Sequence, residues 1–259
     1  MAFALAAILA LVFQQAPEPR AVIRVGMDTR SRPWAFVPSL DYSQEDFARP
    51  PRISEAQLRA LQGVDIDILR ALERQMGADL RIVPAAWATI EEGLLDGRYD
   101  LIMNGWAPTT RTPKDVVATA PYYEWGLQIA VRADDLSMRS YKDVAGKTLG
   151  YFEHPITERT ANTLGARRLV ALDDSDALFE ELAQRRLDVV IEDSTYVRWR
   201  VANDAAFRVV GEPLNRHGYH IGVRRSDTAL LERVRAGLQG LMAGEEIARI
   251  RKRWESPRP

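Results

Sequence analysis

Two stretches of this chain repeat one another, and the repeat limits the folds open to it. Residues 89–105 read TIEEGLLDGRYDLIMNG and residues 177–193 read ALFEELAQRRLDVVIED. In each, a short amphipathic helical segment leads into Arg, then Tyr or Leu, then Asp. Three apolar residues and two small or polar ones follow, so Asp100 and Asp188 are the matching points. Runs such as Leu101-Ile102-Met103 and Val189-Val190-Ile191 would be apolar on both faces of an extended chain, which suits parallel strands covered by helices. Open α/β sheets bind ligands beyond the carboxyl ends of such strands. Asn104-Gly105 and Glu192-Asp193 stand at those ends and are the first candidate site residues. The repeat therefore predicts an α/β protein with two lobes facing across a cleft.

Bulk properties narrow the classes of function. The 259 residues are 46% hydrophobic and 27% charged, enough for one large or two modest folded domains. A formal net charge of −1 gives no reason to expect nucleic acid or an anionic membrane as partner. With no cysteine there are no disulfides, thiolate nucleophiles or thiolate metal sites. Residues 2–13, AFALAAILALVF, have the length of a signal-peptide core and are too short to span a bilayer comfortably. Residues 1–16 are read as a signal peptide ending at Gln14-Gln15-Ala16, although no Lys or Arg precedes the apolar run. The expectation is export to the periplasm as a soluble protein, with no stable membrane insertion once the signal is removed.

Along the chain, alternation predicts a first strand over 21–27, and the proline-bearing stretch 29–62 reads as mostly loop. Ser54 followed by Gln57 is a capping-box pattern and predicts a short helix over 55–61. A helix over 65–76, a strand over 79–84 and, after the first repeated unit, an extended run over 126–132 come next. A second alternation follows: strand 148–152, helix 156–164, strand 168–171, then the second repeated unit. Helices over 230–242 and 246–254 end the chain. Ile129-Ala130-Val131-Arg132 with Asp135 is echoed at identical spacing by Ile221-Gly222-Val223-Arg224 with Asp227. If one run leaves the first lobe and the other returns, the lobes are 21–128 plus 222–259, and 129–221. A coincidence between two edge strands is the other reading.

An ordered set of segments resembles a known family. It comprises Arg24-Val25-Gly26-Met27-Asp28, Pro33-Trp34-Ala35-Phe36, Gly63-Val64-Asp65-Ile66-Asp67, Arg98-Tyr99-Asp100-Leu101-Ile102, Pro121-Tyr122-Tyr123, and residues 143–150, 187–193 and 247–254. In that order they resemble the bacterial periplasmic solute-binding proteins of family 3, the polar amino acid type. The resemblance implies the periplasmic binding protein-like II fold, two Rossmann-like lobes joined by two crossover strands. It also implies capture of a small polar solute, an amino acid or a related amine or carboxylate, for an ABC permease, by a monomer without a cofactor.

The resemblance also assigns positions. An aromatic of the first loop stacks on the ligand in the family, and Trp34 holds that place; core packing is its alternative. Asp28 would accept from a ligand ammonium or cap a turn. The loop after the first polar edge, Asn104-Gly105-Trp106, leads to Arg111, where the family places an arginine that forks onto the ligand carboxylate. Counted back from Tyr122-Tyr123, the family position falls on Thr112, so Arg111 is one residue early and is either the clamp or a solvated charge. In the second lobe, His154-Pro155-Ile156 stands where the family often shows Gly-Thr-Thr. The change deletes an N–H and a hydroxyl but leaves His154 and Thr157 as ligand contacts. Asp193 stands where the family pairs an acid with the ligand ammonium; its alternative is a helix N-cap. The segment 39–61, with Tyr42 and Phe47, is longer than the family's loop and either overhangs the cleft or decorates the surface.

Catalytic signatures are missing from the sequence: no Gly-x-Ser-x-Gly, phosphate loop or His-Glu-x-x-His occurs, and His154, His217 and His220 lack metal-ligand spacing. The chain is therefore read as a binder and not an enzyme. Two alternatives share the fold. Residues 83–87 with Glu158 resemble the exported cyclohexadienyl dehydratases, in which an acid would protonate a leaving hydroxyl. A ligand-sensing accessory protein, docking on a partner other than a permease, is the other.

Overall fold

The computed structural model describes residues 21–42 and 47–256. The signal peptide expected over 1–16 lies outside the described residues, as do four residues of the 39–61 segment. The first half runs β1 (Val22–Met27), β2 (Arg30–Ser31), β3 (Ala35–Phe36), α1 (Glu55–Arg59), α2 (Val64–Met76), β4 (Asp79–Pro84), α3 (Ile90–Leu95), β5 (Leu101–Ile102) and β6 (Val116–Ala118). Then follow β7 (Tyr123–Arg132), β8 (Thr148–Phe152), α4 (Pro155–Ala161), β9 (Arg168–Leu172), α5 (Ser175–Ala183) and β10 (Val189–Asp193). The chain continues with α6 (Ser194–Asn203), β11 (Phe207–Tyr219), β12 (Gly222–Arg224), α7 (Thr228–Met242) and α8 (Glu246–Glu255).

Two five-stranded sheets organise these elements, in the orders β4-β1-β5-β12-β6 and β11-β7-β10-β8-β9. Each has a parallel centre, β4-β1-β5 in the first and β10-β8-β9 in the second, flanked by antiparallel strands. Sheet membership changes twice, between Ala118 and Tyr123 and again between Tyr219 and Gly222. The two passages lie side by side: Thr119 N donates to Ile221 O at 3.0 Å and Tyr122 N to Tyr219 O at 2.8 Å. The chain is thus a two-lobed α/β protein with two adjacent crossovers. Helix α7 packs on α2, while α8 touches both α2 of the first lobe and α6 of the second.

The repeated aspartates act in the framework. Asp100 Oδ2 accepts the Arg24 backbone N–H at 2.8 Å, and Asp188 Oδ2 accepts that of Thr148 at 2.8 Å. Arg24 is near the start of β1 and Thr148 opens β8, each the parallel neighbour of the strand its aspartate precedes. In both lobes the carboxylate satisfies a backbone donor where two parallel strands begin and so fixes their register. The functional ends of the same strands are at the opposite edge of the sheet.

Most elements fall where periodicity places them, and the exceptions have physical causes. The capping box forms in full, Gln57 N donating to Ser54 Oγ and Ser54 N to Gln57 Oε1, but α1 ends at Arg59. Strand β11 is not visible in the sequence because Gly211, Pro213 and Asn215 break its pattern. In the structure Gly211 (φ 69°) and Asn215 (φ 61°) adopt left-handed backbone within a strand whose register on β7 shifts twice. These are bulges, which read as loop from sequence. The stretch 29–62 also contains more structure than its prolines suggest. A small hairpin, β2–β3, carries Trp34 at its tip, and Phe36 pairs with Gln62 so that the intervening segment returns to its start.

Candidate functional site

The hairpin and the tip of β5 build the first-lobe wall. Gly63 precedes α2 at φ 146°, where a Cβ would lie 1.9 Å from the Trp34 carbonyl oxygen. Without a side chain there, α2 can offer its first-turn donors to the hairpin: Val64 N to Pro33 O at 2.9 Å and Asp65 N to Trp34 O at 3.1 Å. Asp65 is fully buried and accepts from Gly105 N at 2.5 Å and from the Tyr122 hydroxyl at 2.9 Å. Gly105, at φ 65°, lies directly under the Trp34 indole, since a Cβ would stand 2.8 Å from Nε1. Asn104 Oδ1 accepts from Asp28 N, and its buried Nδ2 has no partner among the described residues. Asp28 is committed within the chain: Arg30 forks onto both of its oxygens at 2.9 and 2.8 Å, and Trp87 N donates to one of them at 3.1 Å. Of its two readings, the local turn is the one this geometry favours.

The second-lobe wall meets the first through aromatic rings. Trp34 stacks on Tyr196 at 6.3 Å between centroids and meets Tyr219 edge-on at 6.3 Å. Tyr219 is itself stacked on Tyr123 and Trp125 at 5.7 and 5.4 Å. Phe36 packs on Trp199 and Trp254, so both hairpin aromatics reach across to the other lobe. The Trp34 Nε1–H lies by the Tyr219 hydroxyl without an ordinary hydrogen bond. Asp193, 7% exposed, closes the group: Oδ2 accepts from the Tyr219 hydroxyl and Oδ1 from Thr195 N at 2.7 Å. It is the N-cap of α6 and at the same time a buried acid at the junction. Glu192 beside it is buried too, its carboxylate accepting from Asp193 N at 2.9 Å and Ser175 Oγ at 3.3 Å. A continuous series of contacts thus joins Asp28, Asn104, Gly105, Trp34 and Asp193, residues that are up to 165 positions apart (193 − 28).

The remaining candidates stand elsewhere. Trp106 is 3% exposed and packs with Ile90, Leu94, Tyr99 and Val116. Its Nε1 donates to Glu91 at 3.1 Å, so it belongs to the first-lobe interior and not to the ligand wall. Thr112, at the family's arginine position, donates to the same Glu91 oxygen at 2.8 Å. Arg111 is exposed and makes no ion pair among the described residues, yet it lies near enough to His154 to disfavour the protonated ring. His154 caps α4, its Nδ1 accepting from Ile156 N at 3.3 Å, and Thr157 is buried in the first turn. Burial, then His217, Arg111 and Arg159, hold the His154 pKa below its usual value. Arg111 is thus an exposed cation near His154, while Asp65, Glu192 and Asp193 are buried.

Three of the buried acids hold their protons to unusually high pH. Burial pushes Asp65 and Asp193 up to about 7 and Glu192 to about 8, with hydrogen bonds from Tyr122, Tyr219 and Asp193 N opposing the rise. Well below about pH 4 both folded and unfolded chains keep these protons. As pH rises, the unfolded chain releases them first, so the folded state loses stability between about pH 4 and 8. The melting temperature of the free protein should therefore fall across this window, and Asp193→Asn should flatten the fall. A flat native profile would show that folding does not raise the pKa of these acids.

Asp65, Tyr196 and Tyr219 were not found as site residues from sequence. The one available signal was Asp65 lying on the buried face of an otherwise amphipathic helix. Among the described residues no group of three His, Asp or Glu side chains is placed to hold a metal, and no helix is long and apolar enough to cross a membrane.

Comparison with known proteins gives a consistent set of relatives. The model of the bacterial extracellular solute-binding proteins, family 3, matches residues 46–257. ABC transporter arginine-binding protein 1 of Escherichia coli K12 is 26% identical over 211 residues, 79% of this chain and 86% of that protein. The cyclohexadienyl dehydratase of Pseudomonas aeruginosa is 21% identical over 140 residues, 52% of each chain. Among solved structures, an ancestral arginine-binding protein bound to glutamine matches with a TM-score of 0.69 at 25% identity, over 91% of this chain and 98% of that one.

Proposed function

Because this chain belongs to the bacterial extracellular solute-binding proteins of family 3, we propose that its cleft captures a small solute with a protonated amine and that Asp193 receives the amine. The reading rests chiefly on one observation: Asp193 is buried between the lobes, hydrogen-bonded but without a cationic partner among the described residues. A buried acid without a counter-charge is a ready partner for an ammonium group. Trp34, Tyr196 and Tyr219 supply flat apolar faces, and the buried donor ends of Trp34 and Asn104, without partners among the described residues, supply polar contacts. Arg111, with His154 near it, would receive a ligand carboxylate, which suits an amino acid such as the arginine its relative is named for. The lobes would be 21–128 plus 222–259, and 129–221. The protein would act in the periplasm as a monomer and hand its solute to an ABC permease.

A thermal-shift panel of L-arginine, L-histidine, L-glutamine and L-cystine tests this. A solute at about 100 times its Kd adds about 2.7 kcal/mol, a rise on the order of 5–10 °C for a chain of this size. No response to any amine-bearing solute by a well-folded protein would refute the reading. The dehydratase reading has the Pseudomonas relative behind it, but Glu158, the acid it would use, is exposed. Purified protein is expected not to turn over prephenate.

A further inference from the structure

We infer that Asn104 and Trp34 select the side chain of the solute: its end accepts hydrogen bonds, as a carbonyl or carboxylate does, where an ammonium or guanidinium only donates. The inference deepens the reading of Asp193 as the amine's partner and rests on it. On the first-lobe wall the acceptors are engaged and two donors are not. Asn104 is 3% exposed, yet its Nδ2 has no partner among the described residues, and neither does the buried Trp34 Nε1. The Asp28 N–H settles which way the Asn104 amide faces. Oδ1 accepts it at 2.5 Å, and a flipped amide would set two donors face to face. The Asn104 backbone N–H turns to Asp65, so Nδ2 is the one free end of the residue. That backbone stands at φ 122°, a conformation few residues other than glycine adopt. Strain of this kind, in a buried residue with a donor left over, marks a position set up to meet a ligand group.

Gly105 brings the second donor alongside. A Cβ on it would lie 2.8 Å from Trp34 Nε1, so the indole N–H stands over the residue that follows Asn104. The acceptors of the same wall are already bonded: Asn104 Oδ1 to Asp28 N, Asp28 to Arg30 and Trp87 N, and Asp65 to Gly105 N and Tyr122. Thr29 Oγ1 is buried and unpartnered too, but a hydroxyl serves either role and does not discriminate. With the amine on Asp193 and the α-carboxylate toward Arg111, the part of the solute left for Asn104 and Trp34 is its side chain. A carbonyl or carboxylate oxygen there gives both N–H groups a partner. A guanidinium or ammonium leaves them unpaired and adds donors of its own. A site built to hydrogen-bond one group rejects the analogue lacking it far more strongly than an apolar pocket does. Among the amino acids that a carboxylate contact at Arg111 admits, the wall therefore places L-glutamine ahead of L-arginine.

L-Citrulline and L-arginine make the sharpest test, being equal in length and differing in a urea carbonyl against a guanidinium. Calorimetric titration at about pH 8 is expected to give L-citrulline and L-glutamine a Kd at least about tenfold below those of L-arginine and L-lysine. Trp34→Phe keeps a ring against Tyr196 and Tyr219 but not the N–H, and should narrow that ratio about threefold. Asn104→Asp puts an acceptor where the donor was and should move the ratio about 10- to 100-fold toward L-arginine. Should a carboxylate beside Asp65 and Asp28 prevent folding, Asn104→Gly suits the positive φ, removes the donor and should reduce the preference to about threefold or less. Equal binding of L-citrulline and L-arginine by the native chain, or a ratio that the Asn104 variants leave unchanged, would overturn the selection and leave capture of an amine standing. A native chain that binds none of these solutes, nor any amine in the panel above, would overturn both.

Discussion

Asp193→Asn is expected to weaken the binding of an amine-bearing solute by about 10- to 100-fold while leaving the fold intact, a loss on the order of 1.5–3 kcal/mol. Asparagine caps helices as well as aspartate does, so the Thr195 N–H at the start of α6 keeps an acceptor. The amide NH2 takes the place of Oδ2 and can donate to the Tyr219 hydroxyl oxygen, which turns from donor to acceptor. What is lost is the charge. The expected pattern is therefore a free protein at least as stable as the native chain near pH 8, where the native carboxyl is ionised in a buried setting. Binding should also lose its rise with pH, since the group that must release a proton is gone. Calorimetric titration at about pH 6 and pH 8 separates these effects. An unchanged affinity with an unchanged pH slope would show that the amine, if one binds, is held elsewhere.

Arg30→Met is expected to be the most destabilising of the substitutions considered, at about 3–5 kcal/mol. Arg30 and Asp28 both have side chains 1% exposed, and the guanidinium forks onto the carboxylate. Removing the cation leaves Asp28 buried with only backbone donors, from residue 30 and Trp87. At about 2–4 °C per kcal/mol for a chain of this size, the melting temperature should fall by about 6–20 °C. Arg30 also donates to Arg49 O at 3.0 Å and covers the Phe47 ring at 4.5 Å, so the same change should loosen the returning segment after β3. Adding Asp28→Asn should recover a large part of the loss, because the uncompensated charge disappears. A double variant no more stable than Arg30→Met alone would place the cost in the Arg49 and Phe47 contacts instead.

The two substitutions show how far sequence could reach. The lobed α/β architecture was legible because hydrophobic runs buried on both faces, and a helix–Arg–x–Asp unit occurring twice, admit few other arrangements. Asp100 and Asp188 do the same job in each lobe, so the repeat in sequence is a repeat in hydrogen bonding. Strand ends predicted the location of Asn104, Gly105 and Asp193, because the end of a parallel strand is defined by local pattern. The same logic misplaced Trp106, since one residue beyond Gly105 the chain turns its side chain into the first-lobe interior.

What the sequence determined by itself was the class of fold, most of its elements and the strand tips at which a site can form. These follow from periodicity, capping and turn chemistry, which act over a few residues. Only the tertiary structure decided the partners. It paired Asp28 with Arg30, set Trp34 against Tyr196 and Tyr219, and drew Tyr122 and Tyr219 together from distant parts of the chain. Whether a buried carboxyl group is paired, protonated or free depends on the groups that folding brings within a few ångströms, and no short-range pattern encodes them.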